Sequence, residues 1–278
     1  MGYKKCDIIV EIGANHQGDI NIAKEMIKSA KLAGADYCKF QKRDITKYPP
    51  KWNEPYSSEN AFGTTYIKHR KKLEFSLEQH KELKEYCEEI GINYSCSVWD
   101  LQSAKDIISL NPDYIKIPSA HNNNYGLLDY VYFNYDNPVH ISVGMITKSE
   151  REELYKYLNN KENKTVIYWT TSEYPAKFEN LFLLEINELI KRFKYVGYSG
   201  HNLGIAIDIC AYTLGCQIVE RHFTLDRTMK GSDHSASLEP MGLQKLCRDL
   251  KATQKALIYK SDNITKNEMK NRKKLRDN

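Results

Sequence analysis

The sequence predicts a single-domain α/β fold, a (β/α)8 or TIM barrel. Three observations carry that expectation. Short apolar, β-branched or aromatic runs alternate with longer amphipathic stretches, the pattern of parallel strands joined by helical crossovers. Eight such runs fall in a chain of 278 residues, close to the ~250 that one barrel takes. No GxGxxG follows the first run, which removes the main mark of a dinucleotide-binding open sheet.

The predicted strands are 7–12, 36–41, 92–97, 113–117, 138–143, 165–170, 195–199 and 217–221. Between them, 20–33 is apolar at Ile20, Ala23, Ile27, Ala30 and Ala33 and stops at Gly34, a helical period with a glycine terminator. Residues 77–90 place Leu83, Tyr86, Cys87 and Ile90 on one face and stop at Gly91. The stretches 149–158, 181–193, 203–214 and 239–257 read as helices in the same way. Segment 44–74 breaks the rhythm. It is long, aromatic and polar, and is expected to be a βα loop over the active-site face. Residues 1–258 are expected to form the barrel and 259–278 a basic tail.

Composition narrows the function classes. With 41% hydrophobic residues the chain can build a core. No uncharged apolar run reaches the ~18 residues of a membrane span. The opening MGYKKCDIIVEIG is interrupted by Glu11, so no signal peptide is expected. Seven scattered cysteines without a CxxC pair suit reduced thiols and a cytoplasmic location. Residues 266–278 hold six basic side chains against two acidic ones, most of the net charge of +5. Such a tail can bind nucleic acid or a membrane surface; the plainer reading, a solvated helix end or frayed terminus, is preferred.

Catalytic groups of a barrel come from the C-terminal ends of its strands, and each predicted strand here ends in something polar. These include Glu11, Lys39 and Gln41, Ser95 and Ser97, Lys116 with Ser119 and Asn123, Ser142, Ser172 and Tyr174, Ser199 and His201, and Glu220 and His222. Lys39 and Lys116 interrupt otherwise buried strands. A buried ammonium needs compensation. One source is a bound anion with phosphate and carboxylate groups, caged by the two lysines and by Ser119, Ser142, Ser172 and Ser199. The other is a local acid such as Glu11 or Glu220. His201 and His222 follow neighbouring strands, where two imidazoles can hold a divalent metal and leave positions open; each is also compatible with an ordinary hydrogen-bonded histidine. Gly231-Ser232-Asp233-His234 reads on residue type as a turn with a helix cap.

Seven short strings occur in order: Glu11-Ile12-Gly13-Ala14-Asn15-His16, Lys39-Phe40-Gln41, Lys116-Ile117-Pro118-Ser119, Ser142-Val143-Gly144-Met145, Tyr174-Pro175, Ser199-Gly200-His201 and Glu220-Arg221-His222-Phe223-Thr224. Together they resemble the sialic acid (N-acetylneuraminate) synthase family, over roughly residues 7–250. That resemblance implies a transferase that condenses phosphoenolpyruvate (PEP) with an aldose to give a 3-deoxy-2-keto acid of the nonulosonic type, for cell-surface carbohydrate. Lys39, Lys116, Ser119, Ser142, Ser172 and Ser199 would hold PEP. His201 and His222 would bind Mn²⁺ or Mg²⁺. Gln41, Tyr174 and Asp233, with Asn123, would contact the sugar, and Glu11 and Glu220 would move protons. A homo-oligomer is expected, with no nucleic-acid or membrane partner.

Two departures bear on the aldose. His121 stands where members making N-acetylneuraminate typically have glutamate. The C-terminal antifreeze-like domain usual in the family is expected to be absent, since the sequence stops at Asn278. A metal-dependent aldolase or hydrolase that does not use PEP, and a non-catalytic barrel acting through its basic tail, are the alternative readings.

Overall fold

Each apolar run becomes a parallel strand. The computed structural model describes residues 3–56 and 60–276. Its strands are β1 (Asp7–Gly13), β2 (Tyr37–Lys42), β3 (Asn93–Val98), β4 (Tyr114–Ile117), β5 (Val139–Ser142), β6 (Thr165–Thr170), β7 (Tyr195–Gly200) and β8 (Ile218–His222). Each pairs with the next, and β8 pairs back onto β1, which closes the barrel. At the closure Glu11 is in register with His222 on one side and with Lys39 on the other.

The helices are α1 (Ile20–Ala33), α2 (Tyr66–Leu73), α3 (Leu77–Ile90), α4 (Leu101–Ser109), α5 (Tyr125–Asn134), α6 (Lys148–Leu158), α7 (Ile186–Arg192), α8 (Ala206–Thr213), α9 (Pro240–Ala256) and α10 (Lys266–Leu275). Local chemistry sets the ends of α1 and α3. Asp19 caps α1 by accepting from the amides of Asn21 and Ile22, and Gly34 closes it at φ 98°, a conformation glycine adopts without strain. Ser76 and Gln79 form a capping box on α3.

Four stretches differ from the sequence expectation. Helices α4 and α5 lie in connections where none was read; α4 has a reciprocal Asp100–Ser103 cap, and α5 is capped by Asn124 and turns Leu127, Leu128 and Val131 inward. The aromatic strand formers of α5 mask its helical period, and burial of that face overrides propensity. Segment 44–74 is not loop throughout: it contains a 3₁₀ turn at Pro50–Asn53 and then α2, which Thr65 caps and which buries Ile67 and Leu73. The stretch 181–193 shortens to a 3₁₀ turn at Leu183–Glu185 followed by α7. Beyond α9 the chain forms α10, which buries none of its residues.

Strand alternation divides the core into two parts. Residues such as Val10, Phe40, Ile115, Ile141, Ile167 and Val219 point outward and pack beneath the helices. Ile9, Tyr114, Val166, Tyr168 and Ile218 point inward and fill the lower barrel. Gly197 makes room there, because a Cβ at that position would lie 2.5 Å from the Tyr168 ring. His140 stacks on Tyr114 at 3.7 Å and shares a 2.8 Å hydrogen bond with the Tyr168 hydroxyl. This aromatic floor supports the polar layer above it.

Candidate active site

Period-two alternation carries Glu11, Lys39, Gln41, Lys116, Glu220 and His222 from the strands into one cavity at the C-terminal mouth. The deepest groups are charged and nearly dry. Lys39 pairs with Glu11 by direct ionic contact, approaches Glu220 at 3.7 Å and donates to Ser97 Oγ at 2.8 Å. Lys116 donates to Glu220 at 3.1 Å and sits 3.5 Å above the Tyr168 ring. Ser199 donates to the other Glu220 oxygen at 3.0 Å. Glu11 also accepts from Gln41 at 2.6 Å. Both compensations read from the sequence are therefore on the page: the lysines meet carboxylates, and all four charges line a cavity that a ligand can enter.

The proton equilibria follow from burial and partners. Burial opposes the Lys39 charge, but Glu11 and Glu220 outweigh it and hold its pKa above the ordinary lysine value. Lys116 is pushed down to about 8, chiefly by burial, with Glu220 opposing. Burial would raise Glu220, yet Lys116 and Lys39 hold it well below the usual carboxylate range. The two ammonium groups thus favour the ionised form of Glu220, which serves as their counter-ion.

Hydroxyls ring this quartet. Ser119, Ser142, Ser172 and Ser199 all line the cavity. A Cβ on Gly144 would lie 2.6 Å from Ser172 Oγ and 2.7 Å from Ser119 Oγ, so only glycine lets two hydroxyls close on this backbone.

At the rim, the His201 and His222 rings stand 5.4 Å apart at 48°. Tyr174 packs on His201 at 4.2 Å and meets His222 edge-on at 5.9 Å. His201 Nδ1 lies 2.7 Å from the Thr171 carbonyl. Only a protonated nitrogen can bond a carbonyl, so Nε2 keeps a lone pair. Burial, reinforced by His222, pushes the His201 pKa down to about 3 and keeps the ring neutral. His222 Nδ1 is buried without a hydrogen bond, with Asp233 Oδ2 at 3.9 Å. An available lone pair, an orphaned ring nitrogen and a nearby carboxylate fit a divalent cation. Among the described residues no three His, Cys, Asp or Glu side chains group into a metal cage, so the structure offers an imidazole pair with open positions.

Most of the sequence-selected residues meet here. Asp233 stands just outside, beside His222; burial would raise its pKa, but His222, Arg70 and Arg43 lower it. Asn123 does not line the cavity. The 3₁₀ turn at Ser119–His121 leaves it exposed and turns its neighbour Asn122 inward, where Asn122 donates to the Ser142 and Gly144 carbonyls at 3.0 Å each. His121 lies at the edge, against the cavity-lining Trp99 with ring centres 5.5 Å apart. Ser97, Trp99 and Tyr168 received no role from the sequence. Ser97 was legible as a polar strand end, whereas Tyr168 is hidden inside a continuous apolar run.

Known proteins share this architecture. A structure of N-acetylneuraminic acid (sialic acid) synthetase from Leptospira borgpetersenii, in complex with citrate, superposes with a TM-score of 0.83 at 27% identity, covering 99% of this chain and 94% of that one. N-acetylneuraminate-9-phosphate synthase of Mus musculus is 42% identical over 260 residues, 92% of this chain and 72% of the relative. N,N'-diacetyllegionaminic acid synthase of Campylobacter jejuni is 37% identical over 96% of this chain and 82% of its own length. The NeuB family profile matches residues 26–262. With its barrel, its lysine and glutamate quartet and these relatives, the chain belongs to the NeuB family, the sialic acid synthase-like transferases.

Proposed function

We propose that this chain condenses PEP with an aldose, giving a 3-deoxy-2-keto nonulosonic acid and inorganic phosphate. The observation that carries the reading is the juxtaposition in one cavity of two buried lysines and four serine hydroxyls with a neighbouring imidazole pair. The named activities of its relatives, which make sialic and legionaminic acids, agree with it.

In this reading Lys39, Lys116 and the hydroxyls of Ser119, Ser142, Ser172 and Ser199 hold the phosphate and carboxylate of PEP. Gln41 and Tyr174 orient the aldose above it, with Asp233 at the edge. His201 and His222 hold Mn²⁺ or Mg²⁺, which when bound supplies Lewis acidity at the aldehyde oxygen. A bond forms between C3 of PEP and the aldehyde carbon, water adds at C2, and the C2–O bond to phosphate breaks as the C2 hydroxyl becomes the keto group and its proton leaves with the phosphate. Glu11, which lies between Lys39 and His222 in register, takes the proton that water loses and passes it to the new hydroxyl. Glu220 stays ionised and holds the two ammonium groups in place before the anion arrives, a preorganised field.

The protein is expected to act in the cytoplasm as a homo-oligomer. All seven cysteines are free thiols, and no helix among the described residues is long and apolar enough to cross a membrane.

The test is phosphate release in the presence of PEP and Mn²⁺ against hexosamines, hexoses and pentose phosphates. Release that requires both PEP and one aldose, and that is lost on chelation and in His222→Ala, supports the reading. A metal-dependent aldolase or hydrolase would turn over without PEP. Wild-type rates for His222→Ala after chelation would overturn the role given to the histidines.

A further inference from the structure

Arg221 stands outside the cavity, yet it is the largest fully buried side chain among the described residues. Strand alternation turns its neighbours Glu220 and His222 inward and Arg221 outward, towards the helices. There Nη1 donates to the Gly204 carbonyl at 2.8 Å and to Asp208 Oδ2 at 2.5 Å, and Nη2 donates to the Asn202 carbonyl at 2.6 Å. Asn202 and Gly204 belong to the segment that leaves β7 directly after His201, and Asp208 is in the first turn of α8.

One side chain on the strand of His222 therefore grips the chain that follows His201. The opposite side of His201 is also held: its ring bonds the Thr171 carbonyl, and its own carbonyl accepts from the Ala176 amide at 3.0 Å. Asn202 is steadied further by the Tyr198 hydroxyl, which donates to its Oδ1 at 3.0 Å. Gly200 leaves the passage open, because a Cβ there would lie 3.2 Å from Arg221 Cδ and 2.7 Å from the Tyr198 ring. No contact of the guanidinium reaches the cavity.

We propose that Arg221 is a positioning residue, which sets the separation and angle of the His201 and His222 rings and thereby the affinity for the divalent cation, but not that for PEP. This rests on the assignment of those histidines as the cation's ligands. A planar fork that reaches two carbonyls and a carboxylate at once does what a lysine's single ammonium cannot, and loss of a group that orients metal ligands typically costs about 10–100-fold in metal affinity.

The experiment measures Mn²⁺ and PEP binding to the full chain by calorimetry, together with the Mn²⁺ electron paramagnetic resonance line shape. For Arg221→Lys the Mn²⁺ Kd should rise at least about tenfold, with a changed line shape, a wild-type circular dichroism spectrum and a PEP Kd within about twofold. Asp208→Asn leaves the Arg221 bonds to both carbonyls, so it should lower the thermal midpoint and keep the Mn²⁺ Kd within about threefold. If Arg221→Lys does not fold, the apolar pair Arg221→Met with Asp208→Leu is read in the same way. Wild-type Mn²⁺ affinity in the Arg221 variant, or equal losses for Mn²⁺ and PEP, overturns the proposal alone. Failure of the wild-type chain to bind Mn²⁺ overturns the cation assignment and this proposal with it.

Discussion

Along β8, Glu220 and His222 face the barrel interior, while Arg221 between them faces the helices, and both faces bury charge. Outside, the Arg221–Asp208 pair is buried: the two guanidinium Nη groups donate to one carboxylate and two carbonyls, Nε is left without a partner, and the pair does not line the active-site cavity. Burial raises the Asp208 pKa to about 6 although Arg221 opposes that. Inside, Glu220 is shared among Lys116, Lys39 and Ser199 on the wall of a cavity. The outer charges have nowhere else to turn, whereas the inner lysines can exchange carboxylate for an arriving anion. Buried charge serves architecture where it is enclosed and chemistry where it borders an opening.

That contrast can be broken in four places. The largest effect is expected inside. Lys39→Ala or Lys116→Ala removes an ammonium aimed at the anion, and kcat/KM for PEP-dependent phosphate release should fall by ~10²–10³. A smaller loss would mean that the inner lysines serve only the fold. Asp208→Leu strands the outer guanidinium and should cost ~3–5 kcal/mol in denaturant unfolding, with little change in PEP binding. A large PEP defect in that variant would erase the distinction between the faces.

The third test is pH. Lys116 has a pKa of about 8 in the free protein because burial disfavours its charge. A bound anion favours that charge and raises the pKa, so binding above pH ~8 takes up a proton. The PEP Kd should be flat below pH ~7 and weaken about tenfold per unit above ~8, and Lys116→Arg, permanently charged, should lack that inflection. Calorimetry across a pH series checks it. The smallest effect belongs to Gly144→Ala, which pushes the Ser119 and Ser172 hydroxyls aside. Its PEP Kd should rise about tenfold, or ~1.4 kcal/mol, with an unchanged unfolding midpoint.

Legibility in the sequence followed the range of the interaction. The strands were readable because strands covered on both faces become continuous apolar runs, and Lys39 and Lys116 stood out by interrupting them. Glycine terminators made the C-terminal bounds of α1 and α3 readable from one adjacent residue each, Gly34 and Gly91. The quartet itself was not derivable from spacing. Glu11 meets Lys39 across the β1–β2 pairing, but Lys39 reaches Glu220 only because the barrel closes and brings the last strand beside the first. Asn123 and Asn122 show the opposite difficulty. They are chemically identical neighbours, and a single 3₁₀ turn decides which faces inward. Arg221 drew no attention from the sequence as a lone charge in a strand, since its partners lie across a turn and a helix. The family strings contained it, but nothing about residue type announced what it holds.

The closure between β1 and β8 has a further consequence. Glu11 lies on the first strand of the barrel and His222 on the last, and their registry joins them directly. A chain that stops before the eighth strand carries Glu11 and His201 without His222, and both lysines without Glu220. The charged quartet and the imidazole pair are therefore completed together, with the finished ring.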